Sequence, residues 1–277
     1  MQRMRPRPHI FGAFLLLLFL PQGIATANEP TNDDIAFRKE VYVGKKDRLP
    51  YRLFVPLGYE ATRKYPLLLW LHGTDGRGND NVRQLTHENQ LAAHFWISEE
   101  VQLKFPMFVL APQCPTGQDW AEPEFNQPSK WLTLAMEALA KVQKDFSIDR
   151  DRVYVAGQSM GGLAVWSLLQ NYRGKWAAAI IMSAYDTFSD IPAIGEVPLW
   201  VFQGDDDESV PVTMVRSMMA QLKKAHAKVR YTEYHRMNRE VWNKAFAEPD
   251  LLPWLSAQKR GAPTGGQVGS GAAPSSR

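Results

Sequence analysis

Val153-Tyr154-Val155-Ala156-Gly157-Gln158-Ser159-Met160-Gly161-Gly162 sets an apolar run directly against a Gly-x-Ser-x-Gly pentapeptide, and residues 162–170 continue it with a helical pattern. In a strand, tight turn and helix, such a serine is lifted clear of the sheet, while small residues beside it let neighbouring backbones approach. Outward from this stretch, residues 66–71 form a continuous apolar run that ends at His72-Gly73. Shorter runs follow at residues 107–111, 178–183 and 199–202, with a more amphipathic one at 229–234. Runs without a polar alternation belong to strands buried on both faces. Between them, residues 129–146 place Trp131, Leu134, Ala135, Ala138, Leu139 and Val142 on one face, and residues 212–225 do the same with Val215, Met218, Met219 and Leu222. Strands alternating with amphipathic helices predict an α/β fold, a mostly parallel sheet with helices on both faces and its site at the carboxyl ends of the strands. Residues 37–43 and 51–55, joined by Gly44-Lys45-Lys46-Asp47, predict an amino-terminal β-hairpin.

The ends of the chain read differently. Arg3, Arg5 and Arg7 precede a greasy segment at residues 10–20 and then Ala25-Thr26-Ala27, the pattern of a signal peptide over residues 1–27. A linker at 28–36 leads into one domain at 37–260, and the Gly, Ala, Pro and Ser of residues 261–277 predict a disordered tail. The expected protein is exported, periplasmic or extracellular, with no membrane span once the leader is removed. Lys and Arg total 32 and Asp and Glu 29, but three of the arginines belong to the leader, so the remainder carries no net charge with histidines neutral. No basic cluster is interleaved with aromatics, which excludes nucleic acid as a partner. Cys114 is the single cysteine, so no internal disulfide exists, and a small buried apolar role is expected for it. His87 and His94, with Glu88, Glu99 and Glu100, match no metal-ligand spacing. No metal or organic cofactor is expected.

A serine hydroxyl becomes a useful nucleophile when a base takes its proton and a carboxylate orients that base. After a Gly-x-Ser-x-Gly turn the acid comes next in the chain and the base last. Asp205, Asp206, Asp207 and Glu208 follow the run at 199–202, and any of them could serve; the bland alternative is a solvated acidic turn capping the helix from Val212. Negative charge on a carbonyl oxygen needs two backbone N–H donors. Met160 follows the serine, and Thr74 lies in the glycine-rich His72-Gly73-Thr74-Asp75-Gly76 after a buried strand, so their amides are the candidates.

These residues resemble exported α/β-hydrolases of the carboxylesterase, polyhydroxybutyrate-depolymerase and feruloyl-esterase-like group. The likeness covers roughly residues 51–258. It rests on Leu71-His72-Gly73-Thr74-Asp75-Gly76-Arg77-Gly78-Asn79-Asp80-Asn81, Ala111-Pro112-Gln113-Cys114-Pro115, the serine turn and Val210-Pro211. The resemblance implies the α/β-hydrolase fold, Ser159 as nucleophile, Asp207 as the acid (three residues before Val210), the amides of Thr74 and Met160 as the oxyanion hole, and a small-molecule or polymer ester as substrate.

One position departs from the group. Its members close the last strand with Tyr-Pro-Gly-x-Gly-His and a tryptophan three residues later, whereas this chain reads Tyr234-His235-Arg236-Met237-Asn238-Arg239-Glu240-Val241-Trp242. Arg239 stands at the histidine position, and arginine stays protonated and accepts no proton. His235 is the candidate for a relocated base; His226 reads as a helix-end surface residue and His72 as structural. Two functions follow. One is a serine hydrolase acting on carboxylic esters through an acyl intermediate on Ser159, weakened by Arg239. The other is a binding protein without turnover, its Arg239 holding a small anionic or aromatic ligand. Trp96, Trp120, Phe125 and Trp131 are candidates to line a cleft in either case, or to sit in the core.

Overall fold

A computed structural model describes residues 36–86, 89–122, 127–186 and 191–261. The signal peptide, nearly all of the linker and tail, His87, Glu88 and Phe125 lie outside the described residues.

Strands β1 (Arg38–Val43), β2 (Arg48–Phe54), β3 (Tyr65–Leu71), β4 (Phe108–Pro112), β7 (Ile148–Gln158), β8 (Ala178–Met182), β9 (Leu199–Gly204) and β10 (Val229–Tyr234) form one eight-stranded sheet in the order β1-β2-β4-β3-β7-β8-β9-β10. The amino-terminal hairpin is there, β1 antiparallel to β2, closed by a bond from Gly44 N–H to Asp47 carbonyl at 3.0 Å. β2 also runs antiparallel to β4, and all later neighbours are parallel. A two-residue ladder, β5 (Ala121–Glu122) with β6 (Gln127–Pro128), stands apart.

The apolar runs are buried on both faces because each face has its own core. Leu67, Leu69 and Leu71 of β3, Val153 and Val155 of β7, and Leu199 and Val201 of β9 enter one cluster. Leu68 and Trp70, Tyr154 and Ala156, and Trp200 and Phe202 enter the other. Side chains on a strand alternate sides, so an unbroken apolar run supplies both layers at once. The first layer is covered by α3 (Lys130–Asp145), α4 (Met160–Asn171), α5 (Ile191–Gly195) and α6 (Val212–Lys224), through Leu132, Val142, Val165, Leu168, Ile194, Val215 and Leu222 among others. The second is covered by α1 (Gln90–Ile97), α2 (Glu99–Lys104), α7 (Trp242–Ala245) and α8 (Leu251–Ala257), through Ala93, Trp96, Val101, Trp242 and Leu255.

Ser129 starts α3 by accepting hydrogen bonds from the Trp131 and Leu132 amides at 3.2 and 3.3 Å. One edge strand, β1, is charged and largely exposed, which discourages pairing with another chain. Trp96 and Trp120 are fully buried, so of the two roles open to them these aromatics take the core one. No helix among the described residues is long and apolar enough to cross a membrane.

The chain leaves β3 toward β4 on one side, and its next parallel neighbour on the other side is β7. Loops leaving adjacent strands in opposite directions open a crevice at their carboxyl ends. The glycine-rich loop and Ser159 both sit there.

Candidate active site

Ser159 occupies the bend between β7 and α4 with φ 51° and ψ −119°, a conformation that costs a non-glycine residue about 1–3 kcal/mol. Two closures hold it: its N–H donates to Met182 carbonyl at 2.9 Å and its carbonyl accepts from Leu163 N–H at 3.0 Å. The flanking glycines are steric necessities. A Cβ on Gly161 would lie 2.0 Å from the Leu71 carbonyl oxygen, and one on Gly157 2.4 Å from that of Gly161. The helix start is thus pressed against the end of β3, and the serine projects beyond it.

Thr74 begins a short 3-10 turn (Thr74–Gly76), and Met160 begins α4. First residues of a helical turn have N–H groups without an intrahelical acceptor. Thr74, Ser159 and Met160 line a single cavity of about 430 Å³, with Ser183, Tyr185 and Val210 on its walls. Three of the four expected site residues therefore meet at one place.

The loop carrying Thr74 is clamped by buried polar side chains. Gln113 donates to Gly76 carbonyl at 3.3 Å and to Asp80 at 2.7 Å and accepts from Asn81 N–H at 2.6 Å. Arg52 donates to Asn81 carbonyl at 2.6 Å, and Asn89, wholly buried, accepts from Gly73 N–H at 3.0 Å. Asn89 went unnoticed in the sequence, because a lone asparagine ahead of a short helix carries no pattern. The runs around Asn81 and Gln113 are thus explained as mutual anchors for this loop.

His72 is structural. It is fully buried, its Nε2 accepts from Cys114 N–H at 3.0 Å, and its Nδ1 therefore donates to Gly73 carbonyl at 2.6 Å. Trp120 packs against the ring and donates to His72 carbonyl at 3.3 Å. Burial pushes the imidazole down to about 4, so it stays neutral. Burial likewise pushes the Cys114 thiol up to about 12, leaving an inert, apolar sulfur.

A stability prediction follows from His72. The unfolded histidine takes up its proton near 6.5 and the folded one only near 4, so between those values the unfolded chain binds more protons and stability falls as pH falls. The full contribution, about 3 kcal/mol, is present above pH 6.5 and gone below 4. In chemical denaturation at pH 7 and pH 4.5, His72→Gln should lose about 2 kcal/mol less than the parent. Equal losses would mean that His72 is not held neutral.

Of the four carboxylates, Asp207 alone is buried, 5% exposed. Its Oδ1 accepts from the Ser209 and Val210 amides, both at 2.9 Å, and its Oδ2 from Gln203 Nε2 at 3.1 Å. The acidic turn does not cap the following helix: Pro211 holds the position before α6, and no side chain caps it. Asp205 instead pairs with His235, Oδ2 to Nδ1 at 2.6 Å, and accepts from Arg236 N–H. The His235 contact holds the Asp205 carboxyl below its usual range. His235 itself is 78% exposed and is not among the residues lining the Ser159 cavity.

The group that reaches Ser159 is Arg239. Its Nη2 donates to Ser159 Oγ at 2.6 Å, and its carbonyl accepts from Ser183 Oγ. Among the described residues no carboxylate lies within 4.0 Å of the guanidinium. Thus the residue that the ungapped alignment on Tyr234 and Trp242 sets at the histidine position lies beside the serine, and its guanidinium is a permanent donor.

Trp131 is the remaining candidate cleft aromatic that is described; its Nε1 donates to Gln118 at 3.0 Å, and it does not line the cavity. Among the described residues the aromatic that lines the cavity is Tyr185, which sequence reading missed because it follows β8 in a loop without a motif.

Known proteins give the same picture of the fold. A crystal structure of a thermostable esterase is 32% identical, with a TM-score of 0.77, covering 82% of this chain and 64% of its own. A serine-to-alanine mutant of the feruloyl esterase module from Clostridium thermocellum, complexed with sinapinate, superposes with a TM-score of 0.59 at 16% identity, over 83% of this chain and 91% of that one. A bifunctional acetylxylan esterase/xylanase of Neocallimastix patriciarum is 27% identical over 154 residues, 56% of this chain and 21% of the fungal protein. The chain thus spans about a fifth of that fungal relative and under two thirds of the thermostable esterase. The strained serine on its bend, the clamped loop and the two-sided parallel sheet agree with the match of residues 45–249 to the family described as "Esterase: Putative esterase", and the chain belongs to that family.

Proposed function

We propose that the protein hydrolyses carboxylic esters through an acyl intermediate on Ser159, slowly, because Arg239 stands where a base is needed. The observation that carries this reading is Ser159 on its strained bend, in one cavity with Thr74 and Met160. In the first step Oγ bonds to the ester carbon and its proton passes to solvent water, since Arg239 cannot accept it. The carbonyl electron pair moves onto oxygen, which accepts hydrogen bonds from the Thr74 and Met160 amides. Collapse expels the alkoxide, which leaves as the alcohol after taking a proton. Water then attacks the acyl carbon by the same route, releasing the acid and restoring the serine hydroxyl. Among the described residues Asp207 meets no histidine, and it holds its own turn. An oxyanion hole and binding alone sustain about 10³ to 10⁴ over the uncatalysed rate when a triad member is missing.

A second cavity of about 430 Å³, lined by Asp75, Arg77, Arg83 and Thr116, shares Thr74 with the first and supports an extended ester, small-molecule or polymeric. Export to the periplasm or beyond is supported by the arginine-led leader of residues 1–27.

The test pairs a fluorophosphonate probe with p-nitrophenyl acetate. The parent should label slowly and turn over above the buffer rate, and Ser159→Ala should do neither. Turnover that survives in Ser159→Ala removes Ser159 as nucleophile. The hydrogen bond from Arg239 to Ser159 favours the second reading, a binding protein without turnover; a parent that neither labels nor hydrolyses would establish it.

A further inference from the structure

We propose that the Ser159 cavity is a carboxylate site, in which one ligand oxygen lies between the Thr74 and Met160 amides and the other pairs with Arg239, so that a free acid binds more tightly than its neutral ester. The inference rests on the cavity assigned above and on its oxyanion donors, but not on turnover.

Arg239 is the reason. A guanidinium carries five N–H donors in a planar fork suited to two oxygens. Here one hydrogen bond, to Ser159 Oγ, is made by that side chain, and the charge has no carboxylate partner among the described residues. The residue is only partly exposed and its backbone is pinned through Ser183; it is not one of the lining residues, and its cation meets the cavity at its edge, through the contact with Ser159 Oγ. A neutral imidazole at this position would offer no such charge. Two other carboxylates face the cavity, and both are engaged: Asp119 pairs with Arg77, and Asp186 accepts from Gln170 at 3.1 Å. Asp207 is already occupied by Ser209, Val210 and Gln203.

The rest of the wall selects the ligand's other end. Leu163, Tyr185 and Val210 present apolar surface, and a volume of about 430 Å³ holds an aromatic or short aliphatic acid. An ester carbonyl can accept one hydrogen bond from the guanidinium but offers it no opposite charge, whereas the acid released from the ester is ionised at neutral pH and pairs with it through charge as well. The protein therefore keeps its acid product, and simple carboxylates compete with ester.

Calorimetric titration at pH 7 with sodium benzoate and with benzamide, a neutral analogue of the same shape, tests this. Parent and Ser159→Ala should bind benzoate at least tenfold more tightly than benzamide, a difference that charge-assisted pairing supplies. Arg239→Gln should lose that preference while still binding benzamide, which shows the cavity intact, and Arg239→Lys should recover part of it. Equal affinity for the two ligands in the parent, or a full preference in Arg239→Gln, overturns the proposal. Benzoate preference in a parent without esterase activity would leave this inference standing and sink the hydrolase reading; turnover without preference would do the reverse.

Discussion

Arg239→His raises kcat/KM for p-nitrophenyl acetate by about 10² to 10⁴, the range that a positioned general base supplies. The neighbours of the position are already held in place. Asp207, the acid that the family resemblance implies, is buried and held by two amides and Gln203. The backbone at residue 239 is fixed by Ser183, and the Arg239 side chain already meets Ser159 Oγ. The pH profile should change with the rate. In the parent no titrating histidine meets Ser159 among the described contacts, so kcat/KM climbs steadily with hydroxide. With histidine present it climbs only until the imidazole is neutral, levelling above about pH 6.5. Asp207→Asn in the Arg239→His background should remove most of the gain, because the carboxylate orients and stabilises the imidazole. A histidine variant no faster than the parent would mean that residue 239 is not the position of a lost base.

The second large effect is structural. Gly161→Ala should prevent accumulation of folded protein, at a cost above about 4 kcal/mol. Helix propensity alone argues the opposite, since alanine is favoured over glycine by about 1 kcal/mol within a helix. The contact decides the matter: the new Cβ would lie 2.0 Å from Leu71 carbonyl oxygen and 2.8 Å from that of His72, both backbone atoms that cannot rotate away. Relief would require α4 to back off from β3, tearing the amide of Met160 away from the loop of Thr74. The measurement is soluble yield and melting temperature beside the parent. A variant that melts within two or three degrees of the parent, where 1 kcal/mol is worth about 2–4 °C in a chain of this size, would show that the junction is looser than described.

What could be read beforehand follows from how information is stored along the chain. The central strands were legible because both faces are buried, which forces unbroken apolar runs such as residues 66–71 and 199–202. The long helices α3 and α6 were legible because 16 and 13 residues give an apolar stripe room to repeat. Helices α7 and α8, with 4 and 7 residues, are shorter than two turns and leave no period to detect. The amino-terminal part of β7, Ile148-Asp149-Arg150-Asp151, is hidden by its charges, which face outward where the strand runs beyond the core. In the site, the meeting of Ser159, Thr74 and Met160 in one cavity was legible because a sharp backbone bend and a close loop demand glycines at fixed offsets. Arg239 was legible only through its spacing between Tyr234 and Trp242, and the direction of its side chain was not. Tyr185 and Asn89 act through tertiary position alone, and nothing local marks them.

Gln113 ties the Thr74 loop to Asn81, which in turn grips β2 through Arg52 and through the Tyr51 carbonyl. Residue 239 hangs instead from the far side of the sheet, beyond β10. The parts that would receive negative charge and the part that would move protons are therefore mounted on different foundations. Such a scaffold tolerates the exchange of one without disturbing the other, so a lineage could mute its chemistry, or restore it, by a single codon while the receptacle kept its shape.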